Sequence, residues 1–288
     1  MNLARRSSPG VAVKARPPWW REVAVIALFY AVYSAIRDIR GTRPVSAAVA
    51  YRNARVVIGL ERFLGIFHEQ QIQHVALAAS RQLVQWLDVW YGSTQLLVTA
   101  ALLVFLFFRR PASYRFWRNV LAWTTGLALI GFAAFPMMPP RLLPARYGFI
   151  DTLRVVGGLW DFESGPMKHL SNQFAAMPSL HVAWAVWCGA VLWACFGGWV
   201  GRASALVYPA ITFFCVIVTA NHLFIDAAAG ACLVIAVYAS ATFGARRRPC
   251  WGAPDTAAAG AGADAAAGAS AAAGAGAEQA QVPSPSSA

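Results

Sequence analysis

Charge is scarce in this chain, and negative charge most of all. Only 12% of its 288 residues are Asp, Glu, Lys or Arg, and 12 acids stand against 24 bases. With 58% hydrophobic residues and a mean hydropathy of +0.50, that excludes an ordinary soluble domain and points to a polytopic membrane protein. Cysteine is sparse as well. Cys188, Cys195, Cys215, Cys232 and Cys250 lie in or just after apolar runs; odd in number and without paired spacing, they argue against a disulfide framework and against a cysteine metal cluster. The net charge of +12 is what flank charges that orient spans and touch anionic lipid would give, or a cationic mouth for a phosphorylated substrate. No nucleic-acid partner is expected, because the arginines are scattered between apolar runs instead of gathered on one soluble face.

What the chain does have is long apolar runs. Six are expected to cross a bilayer: Trp19–Ile36, Tyr91–Phe108, Trp117–Phe135, Leu180–Phe196, Ala203–Thr219 and His222–Phe243, each near the ~20 residues that a hydrocarbon core requires. Trp19, Trp20, Trp90, Tyr91, Trp117 and Trp199 stand at run ends, as interfacial aromatics do. Basic residues gather before the first run (Arg5, Arg6, Lys14, Arg16, Arg21), between the second and third (Arg109, Arg110, Arg115, Arg118), at Arg202, and after the sixth (Arg246, Arg247, Arg248). By the positive-inside rule those flanks and both termini are cytoplasmic. The first run could instead be a cleaved signal peptide, since small residues follow at Ser46–Ala50, but they lie far from its apolar end.

Between the first two runs, Arg52–Trp90 is too polar to cross. Val56, Ile58, Leu60, Phe63 and Leu64 are interrupted by charged and amide residues, so a helical segment lying at the interface is expected. His68, Glu69 and His74 fall here with no established metal-ligand spacing. The expected fold class is therefore all-α: a six-span membrane helix bundle with an interfacial helical segment. Its parts are a basic cytoplasmic segment 1–18, a membrane domain 19–245, and a disordered Ala/Gly-rich cytoplasmic tail 246–288.

Three short strings carry the chemistry: P-P-R-L at Pro139–Leu142, P-S-L-H at Pro178–His181 and N-H-L-F-I-D at Asn221–Asp226. Counting crossings puts the end of span three and the starts of spans four and six on the outer face, so all three strings converge there. His222 and Asp226, four apart, share a helix face, where the carboxylate can accept Nδ1–H and leave Nε2 free as a nucleophile. A structural His–Asp pair between helices would look the same. An intramembrane carboxylate is costly unless paired, and Asp226 is the single acid of the last two spans. Pro178-Ser179 opens a helix; Ser is a routine cap, yet a helix N-terminus with a hydroxyl also binds phosphate. His181 lies where it could protonate a leaving alkoxide. Arg141, after two prolines, suits a phosphate oxygen or a snorkelling role at the interface.

With those strings in that order, the chain resembles the phosphatidic acid phosphatase type 2 superfamily. P-P-R-L, A-A-M-P-S-L-H and N-H-x-x-x-D are most similar to its inositol phosphorylceramide synthase-like branch. The resemblance implies that His222 forms a phosphohistidine, Asp226 orients it, His181 protonates the leaving group, Arg141 and Ser179 hold the phosphate, and no metal or other cofactor is used. The family's usual lysine seven residues before the motif arginine is here Ala134, and its usual arginine six residues before the motif histidine is Val216. Lys168, Asn221, Arg146 or Asn172 are candidates to fill in as phosphate ligands. The implied activity is that of a plasma-membrane lipid phosphatase or phosphotransferase. Its active site would face outward, its substrate would be a phosphorylated lipid, and its acceptor water or a polyol such as inositol.

Three other readings compete. An intramembrane serine protease would want Ser179 in a G-x-S setting, whereas Met177-Pro178 precedes it. A metal-dependent alcohol phosphotransferase would want clustered aspartates, and Asp226 stands apart. A six-span transporter or scaffold that keeps the fold without the activity would fit the substitutions at Ala134 and Val216.

Overall fold

The computed structural model describes residues 18–25, 27, 31, 46–156, 174 and 176–245. These residues are mostly helical, with no strand among them. In chain order the helices are α1 (Ala47–Phe63), α2 (Glu69–Ala79), α3 (Arg81–Arg109), α4 (Pro111–Ala134), α5 (Thr152–Val155), α6 (Leu180–Cys195), α7 (Gly198–Val218) and α8 (Phe224–Ala245). Short 3-10 turns at Pro140–Leu142 and Ala145–Tyr147 lie in the connection after α4. Among the described residues, three helices are long and apolar enough to cross a membrane: α3, α7 and the Phe224–Phe243 part of α8. Residues 19–25 of the first apolar run are helical; the rest of that run is largely outside the described residues, as is the tail 246–288.

The polar stretch after the first run is not one continuous helix. It divides into α1, α2 and the opening turns of α3, because Ser80 caps a third helix whose first residue, Arg81, lies ten residues before the apolar run at Tyr91. The Ser80 Oγ accepts the Leu83 N–H at 3.1 Å. Arg81, Gln82, Gln85 and Asp88 then ride on the same continuous helix as Tyr91–Phe108. On α1 the faces separate cleanly. Ala50, Ala54, Val57, Ile58 and Glu61 are buried, while Val56, Leu60 and Phe63 are exposed.

Helix α6 is the hub, packing on α3, α4, α7 and α8. Apart from His181 in its first turn, its residues are apolar on all sides, which suits a helix packed among others. Trp187 is buried and donates its indole N–H to the Trp117 carbonyl at 3.0 Å, removing the one polar liability of that side chain. Helix α7 contains Pro209, whose missing N–H leaves the Ala205 carbonyl without its usual donor. Gly189 of α6 packs there, and a Cβ at Gly189 would lie 2.4 Å from that carbonyl oxygen.

The bundle has two chemically different ends. At one, the α3–α4 turn with Arg109 and Arg110 meets the α6–α7 turn: Arg110 Nη2 donates to the Cys195 carbonyl at 3.3 Å, and Phe105 stacks on Phe196. Beside it Arg118 pairs with Glu22 at 2.5 Å. The other end holds the C-termini of α4 and α7 and the N-termini of α6 and α8, with α1 and α2 packed against it. Between the ends, Leu97, Val104, Trp123, Ile130, Leu206 and Ile235 point outward and are exposed. In water such a surface would aggregate; in lipid it is ordinary.

Candidate active site

The turn between α7 and α8 presents the first two site residues. Helix α7 closes with a Schellman motif: the Ala220 N–H donates to the Ile217 carbonyl and the Asn221 N–H to the Val216 carbonyl, both at 3.0 Å. Ala220 occupies the left-handed position, with φ 51°, where glycine is the usual residue. The His222 N–H also donates to the Val216 carbonyl, at 3.1 Å. His222 therefore stands in the turn ahead of α8, not on its first helical residue as the spacing predicts. The turn still brings its ring over Asp226, and Nδ1 lies 3.0 Å from Asp226 Oδ1.

That pair is enclosed: Asp226 is 0% and His222 4% exposed. Neither Nδ1 nor Oδ1 makes a hydrogen bond with a described residue; each meets the other as a 3.0 Å ion-pair contact. A proton placed on Nδ1 toward this carboxylate would leave Nε2 free as an acceptor. Asp226 Oδ2 accepts the Leu223 N–H at 3.1 Å, fixing the carboxylate to the start of its own helix.

His181 faces His222 from the first turn of α6, with ring centroids 5.9 Å apart. Its other side stacks on Tyr91 of α3 at 4.0 Å, and the Tyr91 backbone carbonyl accepts a hydrogen bond from the imidazole. Tyr91 reads in the sequence as an interfacial belt residue; its stacking on His181 leaves no sequence signal. Ser179 caps α6, its Oγ accepting the Val182 N–H at 3.4 Å. The Ser179 N–H donates to the Asp226 carbonyl at 3.1 Å, joining α6 to α8 beneath the two imidazoles.

Arg141 completes the cluster. Its backbone N–H donates to the Ala220 carbonyl at 2.8 Å, and its Nε to Asn221 Oδ1 at 3.1 Å. Asn221 in turn donates from Nδ2 to Thr219 Oγ1 at 2.9 Å. The Arg141 Nη1 lies 3.7 Å from Asp151 Oδ2, a loose contact that an incoming phosphate oxygen could replace. The three strings thus meet at one end of the bundle, although about forty residues separate each from the next.

Other sequence candidates lie apart or outside. Arg146 is exposed, bonds the Tyr51 hydroxyl and leans on the Tyr147 ring. Lys168 and Asn172 lie outside the described residues. The side chains at Ala134 and Val216 supply no cation: the first is exposed at the end of α4, and the second is buried among Val182, Ile217 and Ala227. His68 and His74 each bond a backbone carbonyl, of Gly65 and Gly148, while Glu69 is buried and accepts the Phe224 N–H. No cluster of three or more metal-ligating side chains occurs among the described residues.

A family model described as the PAP2 superfamily matches residues 55–240, well over half of the chain and all three strings. No curated protein and no solved structure matches the chain.

Proposed function

The chain belongs to the PAP2 superfamily, and on that premise we propose that it is an integral membrane lipid phosphatase or phosphotransferase working through a phosphohistidine at His222. The observation that carries the proposal is the His222 Nδ1–Asp226 Oδ1 contact of 3.0 Å, with the His181 ring 5.9 Å from the His222 ring between centroids. In the first step Nε2 attacks the phosphorus of a lipid phosphate ester. The P–O bond to the leaving alcohol breaks, and His181 gives that oxygen its proton. In the second, water or an alcohol attacks the phosphorus, the P–N bond breaks, and His181 takes back a proton from the attacking hydroxyl. Asp226 supports the cationic imidazole in between.

Charge stabilisation falls to Arg141, Asn221 and the α6 N-terminus at Ser179, with Lys168 as a further candidate ligand. No metal enters this scheme. Arg141→Ala is expected to lower kcat/KM on the order of 100-fold, as loss of one oriented donor does. Arg141→Lys should recover only part of it, because a single ammonium cannot serve both Asn221 and the phosphate. Steady-state kinetics on a soluble short-chain lipid phosphate measures both.

Membership supports a phosphorylated lipid as substrate, and the outward apolar side chains support a lipid setting. The arginine-rich bundle end lies opposite the site, which favours a cytoplasmic placement for the arginines and an extracytoplasmic one for His222. Six crossings follow if α4, α6 and the first apolar run join the three longer apolar helices. The branch likeness of the strings favours inositol or a similar polyol as acceptor, alongside water. Incubating purified protein with a panel of lipid phosphates and labelled inositol, then scoring free phosphate against new phosphodiester, separates hydrolysis from transfer. Activity that resists chelator and yields to vanadate supports the histidine route. Substitution of the family's lysine and arginine by Ala134 and Val216 leaves an inactive transporter or scaffold as the second reading, and absence of both products across the panel would favour it.

A further inference from the structure

Helix α8 begins without a side-chain cap of its own kind. Leu223 occupies the capping position and offers no acceptor, and the half-buried helix start lies between buried Leu223 and Asp226, so its free N–H groups need partners. Two carboxyl groups from far away in the chain provide them. The Phe224 N–H donates to Glu69 Oε1 at 2.9 Å and the Ile225 N–H to Glu61 Oε1 at 2.8 Å. Glu61 closes α1, Glu69 opens α2, and both are 0% exposed.

The remaining oxygen of each group poses a problem. Glu61 Oε2 and Glu69 Oε2 are buried and have no donor among the described residues, and no cation there pairs with either acid. The two carboxyls accept from consecutive N–H groups of one helix turn, and two buried carboxylates held there without a cation are costly unless one carries a proton. The titratable groups facing Glu61 are Glu69 from α2 and Asp226 from α8, with His222 beyond Asp226. All of Glu61's immediate ionisable neighbours are acids, so a second negative charge would meet repulsion from two sides.

We propose that Glu61, protonated, and Glu69 act as a positioning pair, holding the first turn of α8 so that Asp226 and His222 keep their register for phosphoryl transfer. The proposal rests on the reading of His222 as nucleophile. It assigns the polar segment ahead of the bundle a part in the chemistry: α1 and α2 fix the start of the helix that carries the general orienting acid. Burial, with Glu69 next, pushes the Glu61 carboxyl up to about 9. The folded protein therefore keeps that proton from the ordinary carboxylate range up to about pH 9. Over that window it binds more protons than the unfolded chain, so this group's contribution to stability declines with rising pH and levels off above it. Activity should hold through neutral pH and fall once the proton leaves.

Glu61→Gln tests this directly. Its amide oxygen can accept the Ile225 N–H while its NH2 donates to Glu69, copying the protonated form at every pH. Wild type is expected to show the infrared carbonyl band of a buried carboxylic acid that bleaches near pH 9, together with an alkaline limb in kcat at the same pH. Glu61→Gln should lack both the band and the limb while keeping kcat within about threefold of wild type, and Glu61→Ala should lose kcat on the order of 10- to 100-fold with KM little changed. If Glu61→Ala does not fold, the amides carry the test. Each single Gln variant keeps one donor facing one acceptor, whereas Glu61→Gln/Glu69→Gln sets two NH2 groups against each other and should lose kcat by a similar factor. A missing band, an alkaline limb that survives in Glu61→Gln, or a double variant as active as wild type would overturn the pair. Failure of the nucleophile reading shows differently: His222→Ala would remain active while the infrared band stayed as in wild type.

Discussion

His222→Ala is expected to abolish lipid phosphate turnover, with kcat falling on the order of 10^4-fold or more, the scale seen when a nucleophile that works as one unit with its partners is removed. The reason is local. Nδ1 lies 3.0 Å from Asp226 Oδ1, so in the proposed mechanism Nε2 is the atom left to attack. Asp226→Asn should act almost as strongly although it preserves size. An amide in that place can favour the wrong tautomer, placing the proton on Nε2 and ending its nucleophilicity. Substrate affinity should change little in either variant, because Arg141 and the α6 N-terminus remain. Phosphate release under single-turnover conditions, with binding measured separately, distinguishes these losses from a general failure to bind.

The second large effect comes from a residue with no chemistry at all. Gly230 lies one turn beyond Asp226 on α8, and a Cβ there would fall 2.1 Å from the Ser179 carbonyl oxygen and 3.0 Å from its carbon. Both are backbone atoms at the buried start of α6, so no flexible side chain can give way. Gly230→Ala must push α6 off α8 by roughly an ångström, breaking the 3.1 Å bond from Ser179 N–H to the Asp226 carbonyl. His181 moves with α6 while His222 stays with α8. A displacement of that size is expected to cost on the order of 100-fold in kcat, and overpacking about 1–3 kcal/mol of stability. Gly126→Ala is the matched control. It too is a helical glycine, but nothing lies within 4 Å of its would-be Cβ, so alanine there should be neutral or stabilising through helix propensity by about 1 kcal/mol. Activity and thermal midpoint of the two variants in the same detergent check both.

The residues legible in the sequence were those that break an apolar pattern. Arg141, Ser179, His181, His222 and Asp226 interrupt or border hydrophobic runs, where a polar group needs a reason, and the structure gathers them at one end of the bundle. The helix limits around them were less legible. His222 reads as the start of the last helix because its run is apolar from there, yet the Schellman turn at Ala220 uses residues 221–223 to reverse direction. Likewise α3 starts at Arg81, since Ser80 caps a helix whose first turns are polar and so look like a different segment.

Glu61 and Glu69 escaped for a physical reason. In a stretch where charge alternates with apolar residues, an acid looks solvated, and its partners lie 164 and 155 positions away in the chain. Backbone N–H groups carry no residue-type signature, so no spacing rule can pair them with an acid. Tyr91 and Asp151 were hidden similarly: one resembles an interfacial aromatic, and the other touches Arg141 only through the folded loop after α4.

The direct test of the central claim is to trap the intermediate. Protein mixed with a lipid substrate labelled in its phosphate, then quenched in alkali within a turnover, should carry the label on the peptide containing residue 222, with the acid lability and alkali stability of a phosphoramidate. His222→Ala should carry none. Label recovered on Ser179, or phosphate released by wild type with no labelled histidine at any quench time, would contradict the mechanism.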